Sequence, residues 1–302
     1  MRVAITGANG LIGKALAERL SSQGHSLRLL FRRPEEQRGL PPGAEAAFFD
    51  AYAQVPDGLL AGCDAVVNLA GENLAARWTK ERKQRVLRSR VEGTAKIVKA
   101  ARDAKVPTLV NASAVGYYGA RGAEVLDEDA PPGDDYMAQV CRAWEEAAAP
   151  ARQAGIRTVL CRIGVVLSPE GGALKTMLPA FRLGVGGRIG SGEQYVSWIH
   201  LEDMVSLLVH ALTRPDLDGP LNGTAPEPVN NRELTRAIAR AVHRPAIVPT
   251  PAFALKLALG PMSAIVLTGQ RVMPRKALQS GFTFAHPTLP EALAHLLARR
   301  AA

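Results

Sequence analysis

Cysteine is scarce in this chain. Its three copies, Cys63, Cys141 and Cys161, lie far apart and form no CxxC pair. That excludes a disulfide framework, gives no zinc-finger spacing, and suits a reduced, cytoplasmic protein; no metal ligand set is expected. Long apolar runs are missing too. The most apolar region, 247–270, is broken by Pro249, Pro251 and Pro261 and carries Lys256, whereas a spanning helix needs about 20 apolar residues in a row. Packed helices are expected there, and no membrane. Met1 leads straight into RVAITGANG, so neither a signal peptide nor a transit segment is expected. Acids are outnumbered, 28 against 37 bases, for a net charge of +9. Such a balance favours anionic ligands. No zinc-finger spacing or aromatic RNA-binding motif accompanies it, so nucleic acid is not an expected partner.

What is present begins at the N-terminus. RVAIT (2–6) is a short β-branched run that stops in GANGLIG, and Leu11, Ile12, Ala15, Leu16 and Leu20 then recur along one helical face up to Gly24. SLRLLF (26–31) reads as the next strand. Strand, glycine turn, helix and strand in this span make a βαβ unit with a phosphate-binding turn. Gly7 permits the tight turn, Gly10 lets backbone approach a pyrophosphate, and Gly13 lets helix and strand pack closely. The remaining turn residue Asn9 and the first helical residues Leu11 and Ile12 complete the site, because uncommitted N–H groups and the positive end of the helix face the phosphates. At the end of the second strand stand Arg32 and Arg33, with no acid beside them in sequence. An acid there binds a ribose 2′-hydroxyl, and an arginine accommodates a 2′-phosphate. The pattern points to NADP(H), against the alternative of a solvated arginine pair on a loop.

AAFFD (46–50), DAVVNLA (64–70), TLVNAS (108–113) and RTVLCRIGVVL (157–167) read as further parallel strands. Helices are expected over 79–104 and from DDYMAQVCRAWEE (134–146) to about 154. Asn68, Leu69, Ala70 and Gly71 form a small-residue turn at the carboxyl end of the sheet, where a cofactor belongs. The run 77–90 is strongly basic: either a solvated helix face, or a face from which Arg90 turns inward to a cofactor phosphate. YVSWIHLEDM (195–204) gives a short strand feeding a helix, and VNNREL (229–234) opens another helix capped by Asn230. The fold class expected is α/β, a Rossmann-type doubly wound parallel sheet with a smaller substrate-facing α+β part and a helical C-terminal segment. Its divisions are 1–167 for the nucleotide core (with later returns to the sheet from about 195–225), 168–247 for the substrate-facing segment, and 248–302 for the C-terminal domain.

TGANGLIG, NLAG, NASAVGYYG, CRIGVVL, WIHLEDM and LNGTAPEPV follow one another as in the extended or atypical short-chain dehydrogenase/reductases of the epimerase/dehydratase group. GENLAARW, VCRAWE, GGRIGSGEQYVSWIHLEDM and GQRVMPRKALQSGF further resemble its YfcH-like subgroup, which carries a small C-terminal domain. The resemblance implies that Gly7, Gly10 and Gly13 contact pyrophosphate and Arg32 the 2′-phosphate. Leu69, Ala70 and Arg90 would line the cofactor path, with Arg162 near the nicotinamide side. It also implies a hydride-transferring oxidoreductase whose substrate is a small molecule, a sugar nucleotide or another carbonyl or hydroxyl compound; a homodimer is compatible.

The same resemblance exposes a gap. Hydride-transferring members use a Tyr and a Lys four residues later, the Lys lowering the Tyr pKa so that it works as acid or base. Aligned on Glu145, those positions fall on Met137 and Cys141, and Tyr136 is one residue out of phase, about 100° around the helix. Ser113, Tyr117 and Tyr118 lie on the loop after the preceding strand: Ser113, with Ala114 competing for the position, falls at the family's serine, and either tyrosine replaces the lost phenol or both are wall residues of a pocket. Cys141 is either a thiol touching cofactor or a small buried hydrophobe. Gln194, Trp198 and His200 lie where related enzymes meet substrate; His200 is equally suited to opening a helix. The alternative function is an NADP(H)-binding sensor or scaffold without turnover.

Overall fold

The computed structural model describes residues 1–37, 39–74 and 78–298. The first half alternates strand and helix: β1 (Arg2–Thr6), α1 (Leu11–Ser22), β2 (Ser26–Phe31), β3 (Ala44–Phe48), β4 (Ala65–Asn68), α2 (Lys80–Asp103), β5 (Thr108–Ala114), the short β6 (Val125–Leu126), α3 (Tyr136–Gln153) and β7 (Arg157–Ile163). The second half adds β8 (Val165–Leu167), α4 (Gly172–Arg182), β9 (Tyr195–Val196), β10 (Trp198–His200), α5 (Leu201–Thr213), β11 (Gly219–Gly223), β12 (Val229–Asn230) and α6 (Asn231–Ala241). The C-terminal part holds α7 (Ala252–Leu259), α8 (Ser263–Leu267), β13 (Arg271–Val272), α9 (Arg275–Gln279) and α10 (Leu289–Ala298). Arg77 of the basic run, the Ala75–Arg77 part of the GENLAARW motif and residues 299–302 of the expected C-terminal domain lie outside the described residues.

Seven strands form one parallel sheet in the order β11-β7-β5-β4-β1-β2-β3. The order reverses between β1 and β4, which opens a crevice at the carboxyl ends of the strands, the place where such sheets bind ligands. Successive strand residues point to opposite faces, and both faces are covered. Val3, Ile5, Leu29, Val67 and Val110 meet Leu16 and Leu20 of α1 and Leu207, Leu208 and Ala211 of α5. Ala4, Leu30, Val66 and Leu109 meet Ile97, Val98 and Ala101 of α2. Two-sided burial explains why these strands read as continuous apolar runs instead of alternating ones. Truncating a wholly buried residue such as Leu16 to Ala costs about 2–5 kcal/mol.

Two expectations need correction. RTVLCRIGVVL is two strands: the chain bends at Gly164, where a Cβ would stand 2.3 Å from the Ser197 carbonyl, and β8 leaves the main sheet to pair with β10. The strand expected at 46–50 runs 44–48, because its pairing with β2 starts just after Gly43 and matches Leu27 to Ala44. The C-terminal segment is helical as expected, with one short strand added. β13 pairs with β6, while Phe282 and Phe284 join the core beneath α5. Leu289, Leu293 and Leu296 pack with α4 and α6. The expected cap of α6 is present as a full capping box between Asn230 and Glu233. Among the described residues no helix is long and apolar enough to cross a membrane.

Candidate functional site at the sheet's carboxyl edge

The glycine turn joins β1 to α1. Gly7 has φ +65°, and a Cβ on it would stand 2.9 Å from the Leu69 carbonyl oxygen. Gly13 is more constrained still, since a Cβ there would meet the Gly7 carbonyl oxygen at 2.2 Å. These two contacts pull the turn against the loop after β4 and the helix against the strand. Gly10, exposed, is the N-cap of α1 and supplies no side chain to cap it. The first amides of α1, beginning at Leu11 and Ile12, therefore depend on solvent or an anion.

A buried polar chain beneath the turn fixes the opposite wall. The Thr6 hydroxyl accepts the N–H groups of Leu69 and Ala70, both at 3.0 Å, and donates to Asn68 Oδ1 at 2.6 Å. Asn68 Nδ2 donates to Asn111 Oδ1 at 2.7 Å and to Thr94 Oγ1 at 3.1 Å, and Trp144 Nε1 donates to that same hydroxyl. Buried polar groups left unpaired are costly, so the chain locks the ends of β1, β4 and β5 in register. Sequence reasoning overlooked Thr6, Thr94 and Asn111, and placed Asn68 only in the turn after β4. For Thr6, Asn68 and Asn111 the signal was available as polar residues ending, or lying inside, otherwise apolar strands, whereas Thr94 lies on α2.

Past β2, Arg32 and Arg33 stand where expected, but the absence of an acid there does not hold. A short 3-10 turn over Pro34–Glu36 brings Glu36 back, 3.3 Å from Arg32 Nη2 and 3.2 Å from Asn9 Nδ2. Asn9, Lys14, Phe31 and Glu36 line an open cavity of about 440 Å³.

Arg90 does turn inward. It is 8% exposed, its Nη1 donates to the carbonyls of Glu72 and Val86, and its guanidinium lies 4.9 Å over the Trp144 ring. Among the described residues no carboxylate lies within ion-pair distance of it, and burial pushes its pKa down. Gly71 touches it: a Cβ there would lie 3.2 Å from the guanidinium carbon. The rest of the basic run divides between solvent and structure, with Arg88 pairing Glu92 and Lys83 resting on the Tyr136 ring.

The proposed acid–base residues look different in three dimensions. Tyr118 has no exposed surface; its hydroxyl donates to Asn222 Oδ1 at 2.7 Å and accepts from Arg162 Nη1 at 3.0 Å. Burial lifts its pKa to about 12. Its hydroxyl is thus held inside the Asn222–Arg162 network and has no exposed surface. Ser113 is 2% exposed and donates to Glu145 Oε1 at 2.7 Å. Glu145 in turn grips Arg162 with both oxygens, each at 2.9 Å. Burial alone would lower the Arg162 pKa, but that carboxylate outweighs it and raises it. Arg162 therefore organises this network from inside and lies under Tyr117, 3.5 Å from the ring centre. Tyr117 is half-buried, and of the three candidates it alone keeps appreciable surface. Cys141 is buried, near Gly116 and Met137, with a thiol pushed to about 12 chiefly by burial; it is a small hydrophobe here.

The residues expected to contact substrate each make hydrogen bonds within the fold. Gln194 Nε2 donates to the carbonyls of Ile189 and Val266, tying a loop to α8. Trp198 is wholly buried, its indole N–H donating to the Glu227 carbonyl at 2.8 Å. His200 is 1% exposed and caps α5, its Nδ1 accepting the Glu202 N–H. Trp198 and His200, two apart on β10, share one face of the strand, and that face is buried.

A family model described as the NAD dependent epimerase/dehydratase family matches residues 3–224. The chain belongs to that family. A second model, a domain of unknown function, DUF1731, matches 250–296. An epimerase family protein of Mycobacterium bovis is 45% identical over 98% of both chains. An Arabidopsis thaliana homologue of SDR39U1, described as chloroplastic, is 41% identical over 97% of this chain and 86% of its own. The crystal structure of human epimerase family protein SDR39U1 with NADPH superposes with a TM-score of 0.87 at 38% identity, covering 99% of this chain and 100% of that one. A nucleoside-diphosphate sugar epimerase from Corynebacterium glutamicum has a TM-score of 0.81 at 34% identity, covering 99% of this chain and 58% of its own.

Proposed function

We propose that the protein binds NADP(H) along the carboxyl edge of its seven-stranded sheet and transfers hydride between nicotinamide C4 and a small carbonyl or hydroxyl compound. One juxtaposition carries the cofactor reading: Asn9, next to the uncapped start of α1, meets the same Glu36 carboxylate that pairs Arg32. Gly7, Gly10 and Gly13 let the pyrophosphate approach the amides of Leu11 and Ile12, and Arg32 takes the 2′-phosphate by exchanging Glu36 for it. Leu69, Ala70 and Gly71 form the facing wall. Arg90, a buried cation without a carboxylate, supplies the second positive charge. The NADPH seen in human SDR39U1 supports the choice of dinucleotide. The sugar-nucleotide class named for the Corynebacterium relative makes nucleoside-diphosphate sugars the first substrates to try. A cytoplasmic setting accords with three buried, unpaired thiols.

In this reading Tyr117 is the acid–base candidate, held by the Arg162 guanidinium beneath it, while Ser113, Glu145 and Tyr118 position that guanidinium. A second reading, cofactor binding without turnover, is favoured by Met137 and Cys141 in place of the Tyr–Lys pair, a loss that ordinarily removes about 10²–10⁴ in rate. Denaturing the purified protein and identifying the released nucleotide, then titrating with NADPH and NADH, tests binding; preference for NADPH is expected, and no binding of either ends both readings. Following 340 nm absorbance with a panel of sugar nucleotides and aldehydes tests turnover. A rate that falls in Tyr117→Phe supports hydride transfer, and tight binding with no reaction across the panel supports the second reading.

A further inference from the structure

Four donors from separate stretches of chain converge at the N-terminal end of α5. His200 ends β10, Glu202 lies in the first turn of α5, His286 precedes α10, and His295 lies within it. One ligand atom from each falls within 4.8 Å of all the others. His200 Nε2 is 3.1 Å from His295 Nδ1, and His286 Nε2 is 3.4 Å from Glu202 Oε2. The His286 ring stacks 3.9 Å from that of His200 and 4.5 Å from that of His295. Donors held at 2.0–2.2 Å around a tetrahedral ion stand about 3.3–3.6 Å apart, so the cluster is already near the spacing a small ion requires.

We propose that His286, His295 and Glu202 bind a divalent transition metal, zinc in the first instance, with His200 acting as a hydrogen-bond donor beside it. Imidazole nitrogen with one carboxylate is the donor set of borderline ions and not of magnesium or calcium. His200 is left out of the ligands for a stated reason. The Glu202 backbone N–H donates to its Nδ1 at 3.0 Å, which puts the proton of the neutral ring on Nε2. Without metal that N–H donates to His295 Nδ1. Once the metal takes the His295 lone pair, the same N–H serves a metal-bound water or the Glu202 carboxylate, as partners of metal ligands commonly do. His286 binds through Nε2 with its proton moved to Nδ1.

The backbone around the site is fixed by a separate device. Both oxygens of the buried Asp203 accept backbone N–H groups, from Ala285 at 2.8 Å and His286 at 3.0 Å. That clamp holds the His286 segment against α5 whether or not an ion is present, so little ordering is left for the metal to impose. The Glu202 side chain is 40% exposed, which leaves a path for entry. Three protein ligands leave a coordination position to water. The ion would pin α10 and the 282–286 segment to the nucleotide-binding unit. Linear spacing gave no hint of it, since the donors are spread from 200 to 295.

The test uses the full chain, stripped with chelator and titrated with zinc by calorimetry and with Co²⁺ by visible absorption. One equivalent should bind, with d–d bands of low-symmetry cobalt and a raised melting temperature. His286→Ala, His295→Ala and Glu202→Gln should each weaken binding roughly tenfold or more, while His210→Ala, a histidine bonded to Ser280 outside the cluster, should bind as the unaltered chain does. Circular dichroism and NADPH binding check that the variants fold. Should a variant not fold, the cobalt spectrum of the unaltered chain decides. Bands no different from the aqueous ion, no saturable zinc binding, or equal binding by the His286→Ala/His295→Ala double variant each overturn the proposal.

Discussion

Arg32→Ala and Glu36→Gln form a pair of perturbations with opposite expected signs. Arg32 now spends its guanidinium on Glu36, at 3.3 Å with the arginine side chain 48% exposed. An exposed pair of this kind contributes about 0.2–1 kcal/mol. A charge-assisted bond to a phosphate contributes about 1.5–3 kcal/mol. Exchanging one for the other leaves about 0.5–2.8 kcal/mol in favour of NADPH, or roughly 2- to 100-fold in Kd. Arg32→Ala should lose that factor for NADPH and leave NADH within about twofold, because NADH has no 2′-phosphate. Glu36→Gln removes the competitor, and should tighten NADPH by up to about fivefold, the equivalent of 1 kcal/mol. Fluorescence titration of both nucleotides on both variants measures this directly. Equal weakening of NADPH and NADH in Arg32→Ala would refute the 2′-phosphate assignment. Weaker NADPH binding in Glu36→Gln would also count against it, since Glu36 would then be the partner of a ribose hydroxyl.

Glu145→Gln should cost about 3–5 kcal/mol in urea unfolding, because it strips the carboxylate from a guanidinium only 4% exposed. Tyr118→Phe should lower stability by about 1–3 kcal/mol by orphaning Asn222 and Arg162 partners, yet leave NADPH affinity unchanged; a lost nucleotide affinity would return Tyr118 to the site. Gly13→Ala should abolish nucleotide binding, since its methyl group would meet backbone at 2.2 Å that has nowhere to move. Stability should decline in alkali from about pH 9 upward. Burial raises Cys141 and Cys161 from 9.0, and Tyr118 from 10.0, to about 12 each. Above pH 9 the unfolded chain therefore loses protons that the native state keeps, and unfolding gains free energy until the native groups also titrate. Denaturant curves between pH 8 and 11 check the sign, and a flat profile would contradict it.

β1, α1 and β2 were legible from a few residues because everything that defines them is local. A β-branched run, three glycines at set intervals and a 3.6-residue apolar period specify strand, turn and helix wherever the rest of the chain lies. The Asn230 cap was readable for the same reason, being a contact across three residues. Glu36 was not, although it is only four residues from Arg32: its return depends on a turn that begins at Pro34, and linear order shows an acid beyond the strand, not beside it. Tyr117 and Tyr118 are adjacent in sequence and differ only in which side of a 3-10 turn each takes. One meets the outer side of the Arg162 guanidinium, the other the core, and the Asn222 that fixes this choice lies 104 residues on.

The sequence by itself determined the glycine turn, most of the helix and strand order of the first half, and the Met137 and Cys141 that stand where the family resemblance expects a Tyr–Lys pair. Each is a matter of residue type at short spacing, which chain connectivity guarantees. Only the tertiary structure decided which polar side chains remain available. Trp198, His200, Gln194, Ser113 and Tyr118 were all drawn into hydrogen bonds within the fold, each with at least one partner distant in sequence. A polar group taken from water must find a partner or cost several kcal/mol, and whether it finds one depends on segments that only folding brings alongside. The histidine cluster arose in the same way, as α10 packed back against the start of α5.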